Sequence, residues 1–163
     1  MLKAEAQRAT PSWRRFEIAI IGTARRLRAA FDERLEPLDL NLNQASLLAY
    51  VADFGESTQT ELAEMVDLGR AAIGTMIDQL EGRGLLERLP DPADRRVWLV
   101  AATDSGRVLV DRFYEIDTKF RQELRRGIGR DERQLLAELL ERLDTNINLT
   151  RETSTTQGDT NRD

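Results

Sequence analysis

Between residues 58 and 102 the hydrophobic period changes in an order that few folds accommodate. Thr58-Gln59-Thr60-Glu61 has the form of a capping box, in which a hydroxyl and a carboxylate satisfy each other's free backbone donors. It opens a helical pattern carrying Leu62, Met65 and Val66. Asp67-Leu68-Gly69 breaks that pattern after three residues. Ile73, Met76, Ile77 and Leu80 then restore helical spacing until Gly82-Arg83-Gly84 stops it. Two short helices joined by a tight, glycine-containing turn form a helix-turn-helix unit. Two β-prone runs follow, Leu85 to Leu89 and Val97 to Ala101, on either side of the turn-forming Pro90-Asp91-Pro92-Ala93-Asp94-Arg95-Arg96. They predict a hairpin attached directly behind the second helix.

The flanks are helical. Thr10-Pro11-Ser12 is a good helix start, and Phe16, Ile20, Ala24, Leu27, Phe31 and Leu35 line one face of a helix over 11–37. A shorter helix runs from about Asn43 to Asp53, with Gly55 beyond it. After a cap at Thr103 or Asp104, the region 104–149 carries Leu109, Phe113, Ile116, Phe120 and Leu124 on one helix. Leu135, Leu136, Leu139, Leu140, Leu143 and Ile147 lie on the next. Residues 151–163 contain no apolar side chain and are expected to be a disordered tail. The predicted fold is mainly α with a small β-hairpin wing, in a single domain over 1–163 whose lobe is 43–103.

Composition removes several function classes. The 163 residues include no Cys and no His, which excludes thiolate metal sites, thiol redox sensing and cysteine catalysis and removes the commonest general base. No metal and no cofactor is expected. A carboxylate hydrolase remains as an alternative, with Asp91 and Asp94 as its acids, but both sit in an exposed turn. No apolar run is long enough to span a membrane, and the N-terminus lacks the apolar core of a leader, so a cytoplasmic protein is expected. The net charge is -5, and the stretch 66–100 holds five basic against six acidic residues. Contact with nucleic acid must therefore rest on the placement of a few arginines, not on a general field.

In a helix-turn-helix the second helix enters the major groove with its N-terminal part toward the base edges. Burying Ile73, Met76, Ile77 and Leu80 leaves Arg70, Ala71, Gly74, Thr75 and Asp78 outside. Arg reads guanine bidentately, Thr bonds several bases, and Ala or Gly permits close approach. Gly74 serves either that approach or tight packing against another helix. Thr58, Gln59 and Thr60 at the start of the preceding helix, and Arg88 in the hairpin, are further candidate DNA contacts. The plainer reading is a helical hairpin in an all-α protein; the charged hairpin behind it favours DNA.

The run from Thr58 to Gly106 resembles the DNA-binding core of MarR-type winged-helix regulators. The resemblance is carried by Leu62-Ala63, Leu80-Glu81-x-Arg83-Gly84-Leu85-Leu86, Asp91-Pro92-x-Asp94-Arg95-Arg96 and Thr103-Asp104-Ser105-Gly106. It implies a homodimer built from the helices at 11–37 and 104–149, bound to a palindromic operator in double-stranded DNA. It also implies a repressor, released by a small aromatic or phenolic effector. Gly69 departs from the pattern where Ser or Thr often caps the recognition helix, and Val100-Ala101-Ala102-Thr103 departs from the usual Leu-Thr. The family's wing places an Asp and an Arg two residues apart, here Asp94 and Arg96. Asp94 is expected in an ion pair with Arg88 or Arg96 that fixes the wing. Neighbours in a strand face opposite ways, so only one of Arg95 and Arg96 is expected to enter the minor groove, and the spacing implied by the resemblance favours Arg96. Trp13, Arg14, Arg15 and Phe16 are an aromatic and basic cluster suited to an anionic aromatic effector; alternatively they are an ordinary helix start with solvated arginines. A winged-helix protein-interaction module without DNA binding is the second functional alternative.

Overall fold

Two capping boxes set the start of the lobe's early helices. Asn41 accepts the backbone N–H of Gln44 at 2.9 Å while Gln44 accepts that of Asn41 at 3.1 Å. Thr58 and Glu61 repeat the exchange, and the two hydrogen bonds from Thr58 hold the Glu61 carboxyl below its usual range. The computed structural model describes residues 15–66 and 68–159, with side chains placed as far as Thr150. Its chain order is α1 (Arg15–Leu35), a 3-10 turn (Glu36–Leu38), α2 (Leu42–Phe54), β1 (Ser57–Thr58), α3 (Gln59–Met65) and α4 (Arg70–Gly82). Then come β2 (Leu86–Pro90), β3 (Trp98–Ala102), α5 (Asp104–Leu124) and α6 (Arg130–Asp159). The chain divides into two compact units, Met1–Phe120 and Arg121–Asp163.

In the first unit the core joins α1 and α2 (Leu35, Leu47, Leu48, Val51) to α3 (Leu62), α4 (Ile73, Ile77, Leu80) and the sheet (Leu86, Val100). The apolar face expected on α4 is buried in full. The sheet has three strands in the order β1-β3-β2, all antiparallel. Sequence reasoning expected only the hairpin, because a two-residue strand ahead of a helix cap shows no alternation. Both hairpin strands begin and end one residue later than expected. Leu86 faces Ala102, Arg88 faces Val100 and Pro90 faces Trp98.

Thr103 caps α5: its hydroxyl accepts the Gly106 N–H at 3.1 Å and donates to the Gly84 carbonyl at 2.7 Å. A Cβ on Gly106 would lie 2.1 Å from the Leu85 carbonyl oxygen, so this crossing admits only glycine. Further along α5, Val110 and Phe113 enter the core, and Phe120 meets Phe31 edge-on at 4.6 Å. Tyr114 donates its hydroxyl to Asp53 of α2, and burial followed by that bond pushes the phenol up to about 12. Arg83 donates to the carbonyls of Leu38 and Asp39, bracing the left-handed Asp39 (φ 53°) against the end of α4.

The apolar face expected along α1 is buried only at Phe31 and Leu35; Phe16, Ile18, Ile21 and Leu27 are exposed. In the second unit no described side chain from 121 to 150 is buried. Leu135, Leu136, Leu139, Leu140 and Ile147 are exposed along α6. The backbone of α6 runs on past Thr150 to Asp159, where the sequence predicts a disordered tail. Extending an existing helix forms one hydrogen bond per residue fixed and requires no new nucleus. Residues 160–163 lie outside the described residues. Among the described residues, no helix is long and apolar enough to cross a membrane.

Candidate nucleic-acid interface

α3, the turn and α4 form the helix-turn-helix, and Gly69 is the N-cap of α4 without any side-chain hydrogen bond. The first backbone donors of α4 are therefore free of a side-chain cap, next to exposed Arg70, Ala71 and Ala72. One turn on, Thr75 is exposed, with its hydroxyl donated to the Ala71 carbonyl at 3.1 Å. Its lone pairs stay available, so toward a base it acts as an acceptor.

Gly74 packs closely against the Gln59 side chain of α3. A Cβ there would lie 3.0 Å from the Gln59 amide nitrogen, which donates to the Arg70 carbonyl at 3.1 Å. The glycine admits a glutamine clasp between the start of α3 and the first turn of α4. Of the three candidates at the start of α3, Thr58 is occupied in the capping box and Gln59 in the clasp, while Thr60 is exposed.

The wing departs from expectation at its ion pair. Arg88 bonds to Asp78 and Glu81 of α4, not to Asp94. The hydrogen bond that Arg88 donates to Asp78, with the two nearby carboxylate charges, raises its already high pKa against the opposing effect of burial. Arg88 shares a sheet face with Val100, which turns it onto α4, whereas Asp94 lies at the far tip. Asp94 instead accepts the backbone N–H of Arg96 at 3.0 Å, and Asp91 accepts that of Ala93 at 2.7 Å. Two side-chain-to-backbone turns, not an ion pair, thus shape the tip.

Arg95 and Arg96 sit within this turn, ahead of β3, and both are exposed. Strand alternation therefore does not separate them, because neither is in the strand. Of the five arginines between 66 and 100, Arg83 and Arg88 are tied into the fold. Among the described residues, Arg70, Arg95 and Arg96 have no carboxylate within 4.0 Å. Sequence reasoning missed Asp78 and Glu81 as the partners of Arg88. The available signal was that Arg88 follows Leu86 at strand spacing and so shares its inward face.

Of the expected effector cluster, Trp13 and Arg14 lie outside the described residues. Arg15 and Phe16 are exposed at the start of α1. Further along α1 an open cleft of about 440 Å³ is lined by Ala24, Arg25, Leu27, Arg28, Phe31 and, from α2, Leu42. Arg28 is steadied there by a 2.8 Å hydrogen bond to Asn43. Two guanidinium groups over an aromatic and aliphatic floor suit a flat anion.

Comparison with known proteins agrees with this geometry. The MarR family model matches residues 40–98. An uncharacterized HTH-type transcriptional regulator of Bacillus subtilis, YdgJ, is 35% identical over 101 residues, which is 62% of this chain and 60% of that protein. The chain thus matches less than two thirds of that curated relative's length. The transcriptional repressor CouR bound to a 23-mer DNA duplex superposes with a TM-score of 0.70 at 31% identity, covering 77% of this chain and 89% of that one. Bordetella bronchiseptica BpsR, whose DNA binding is regulated by 6-hydroxynicotinic acid, gives 0.71 at 26% identity, covering 77% and 90%. Helix-turn-helix, wing, flanking helices and these likenesses agree, and the chain belongs to the MarR family.

Proposed function

We propose that the protein is a dimeric, DNA-binding transcriptional regulator that represses from a palindromic operator and is released by a small aromatic acid. The observation that carries this reading is the sorting of its arginines. Arg88 is neutralised by Asp78 and Glu81 and holds the wing against α4. Arg70 at the head of α4 and Arg95 and Arg96 at the wing tip are left for a polyanion. Placing α4 in the major groove and the tip in the neighbouring minor groove puts all three against DNA. CouR, solved on a DNA duplex, supports the partner class.

The exposed apolar faces of α1 and α6 are the surface on which two copies would associate, giving a two-fold protein for a two-fold site. The cleft of Arg25, Arg28 and Phe31 is the effector site in this reading, supported by the aromatic acid that regulates BpsR. An effector acts there through its different affinity for the DNA-binding and released arrangements. A hydrolase is disfavoured because Asp91 and Asp94 are both engaged by backbone donors of the wing turn. A cytoplasmic location follows from the DNA partner.

The deciding experiment is selection of bound sequences from random duplexes, then footprinting with and without aromatic carboxylic acids. A two-fold symmetric consensus, vacated on adding one acid, is expected. Failure to enrich any sequence would leave the protein-interaction module as the better reading.

A further inference from the structure

Trp98 is a large apolar side chain left 56% exposed at the outer end of the sheet. β1 ends at Thr58, opposite Leu99, so at Trp98 the strand is paired only with Pro90 of β2. Alternation puts Trp98 on the same sheet face as Val100 and Ala102, opposite the row Pro90, Arg88, Leu86. That face lies against α4, since Arg88 reaches Asp78 and Glu81 from it. β2 runs back along α4 from the turn at Gly82-Arg83-Gly84. One step outward from Arg88, whose partners Asp78 and Glu81 lie on α4, the row reaches Pro90 and Trp98. Trp98 is where the inner face of the wing becomes exposed, one step beyond the Arg88 tie to α4 and ahead of the wing tip.

If α4 occupies the major groove and the tip the minor groove, the space between them straddles the sugar–phosphate strand that divides those grooves. We infer that Trp98 is a DNA-backbone contact: its ring packs on a deoxyribose of that strand and its indole N–H donates to a phosphate oxygen. The chemistry suits this place, because indole offers an apolar face with one donor and no acceptor. The inference rests on the DNA-binding reading above. It adds a contact that is blind to base sequence and carries no charge.

Both properties can be read out. The chain has two tryptophans, so Trp13→Phe leaves Trp98 as the sole tryptophan emitter in the full-length protein. Its titration is followed with the selected operator and with a mixed-sequence duplex of about 30 base pairs, long enough for two half-sites. Emission should change, and acrylamide quenching should fall, on both duplexes. Trp98→Ala should weaken both complexes about tenfold, as expected for a lost hydrogen bond to a charged oxygen. The slope of log K against log salt should stay unchanged, because no cation is removed. Trp98→Phe, which keeps a ring without the donor, should fall between. Unchanged emission at saturation, unchanged affinity, or a loss confined to one base sequence would overturn the inference; the emission measurement decides even if the alanine variant misfolds. Should the wild type bind no duplex at all, the DNA reading itself fails, and this inference with it.

Discussion

The lobe and the last helix treat apolar side chains in opposite ways. In the lobe Leu47, Leu48, Leu62, Ile73, Ile77 and Leu80 are sealed from water within one chain. Along α6 Leu135, Leu136, Leu139 and Leu140 have the same helical spacing and remain exposed. Periodicity is thus equal evidence for a buried face in both places, but only the lobe supplies its own cover. A stripe of four leucines facing water costs free energy that a second copy would recover. The lobe is a self-contained reading head, and the α6 face is an unfinished one.

The strongest way to break this contrast is at Gly106. Gly106→Val places atoms where a Cβ alone already lies 2.1 Å from the Leu85 carbonyl. It should cost about 3 kcal/mol or more and unfold the lobe cooperatively in a thermal melt. The opposite behaviour is expected on α6. Leu136→Glu with Leu140→Glu should leave the lobe folded while weakening self-association at least about 30-fold in sedimentation, the size of a strong interface effect. The melting temperature should also lose its dependence on protein concentration. A melt that depends on concentration as before would remove α6 from the interface.

A finer contrast lies among the arginines. Arg96→Ala should leave stability unchanged, weaken operator binding, and lower the salt slope by about one. Arg95→Ala beside it tests which tip residue enters the groove, because only the inserting one should discriminate A·T-rich flanks. Arg83→Ala should behave inversely, losing about 1–2 kcal/mol of stability as two backbone carbonyls lose their donor. Its intrinsic affinity for DNA should be little altered.

The smallest effect is a pH dependence at the rim of the lobe. Tyr114 is raised in the folded state to about 12 from 10.0. Its neutral form is favoured by folding, so its contribution is complete below pH 10 and is lost as pH rises toward 12. Alkaline absorbance titration should show a late ionisation that Tyr114→Phe removes, and that variant should lack this part of the alkaline destabilisation.

Local chemistry was legible wherever the residues concerned are neighbours in sequence. The Thr58–Glu61 capping box, the stop at Gly82-Arg83-Gly84, the buried face of α4 and the cap at Thr103 need only a few consecutive side chains. β1 was not legible because two residues define no period. The expected Asp94 ion pair failed for a related reason: Asp94 had a closer partner in the backbone of its own turn. The tip arginines were assigned to a strand that begins two residues beyond Arg96.

By itself, then, the sequence determined the order of the helices and of the two hairpin strands, the inward face of the recognition helix and the charged turn of the wing. Those follow from periods, caps and turn residues acting over one or two helical turns. Tertiary structure alone decided that Gly74 packs against Gln59, that Arg88 is tied to α4, and that Trp98 is left exposed at the outer end of the sheet. It also decided which apolar stripes a single chain leaves uncovered. Each of these depends on segments brought together by the core, and no pattern confined to one segment records its partner.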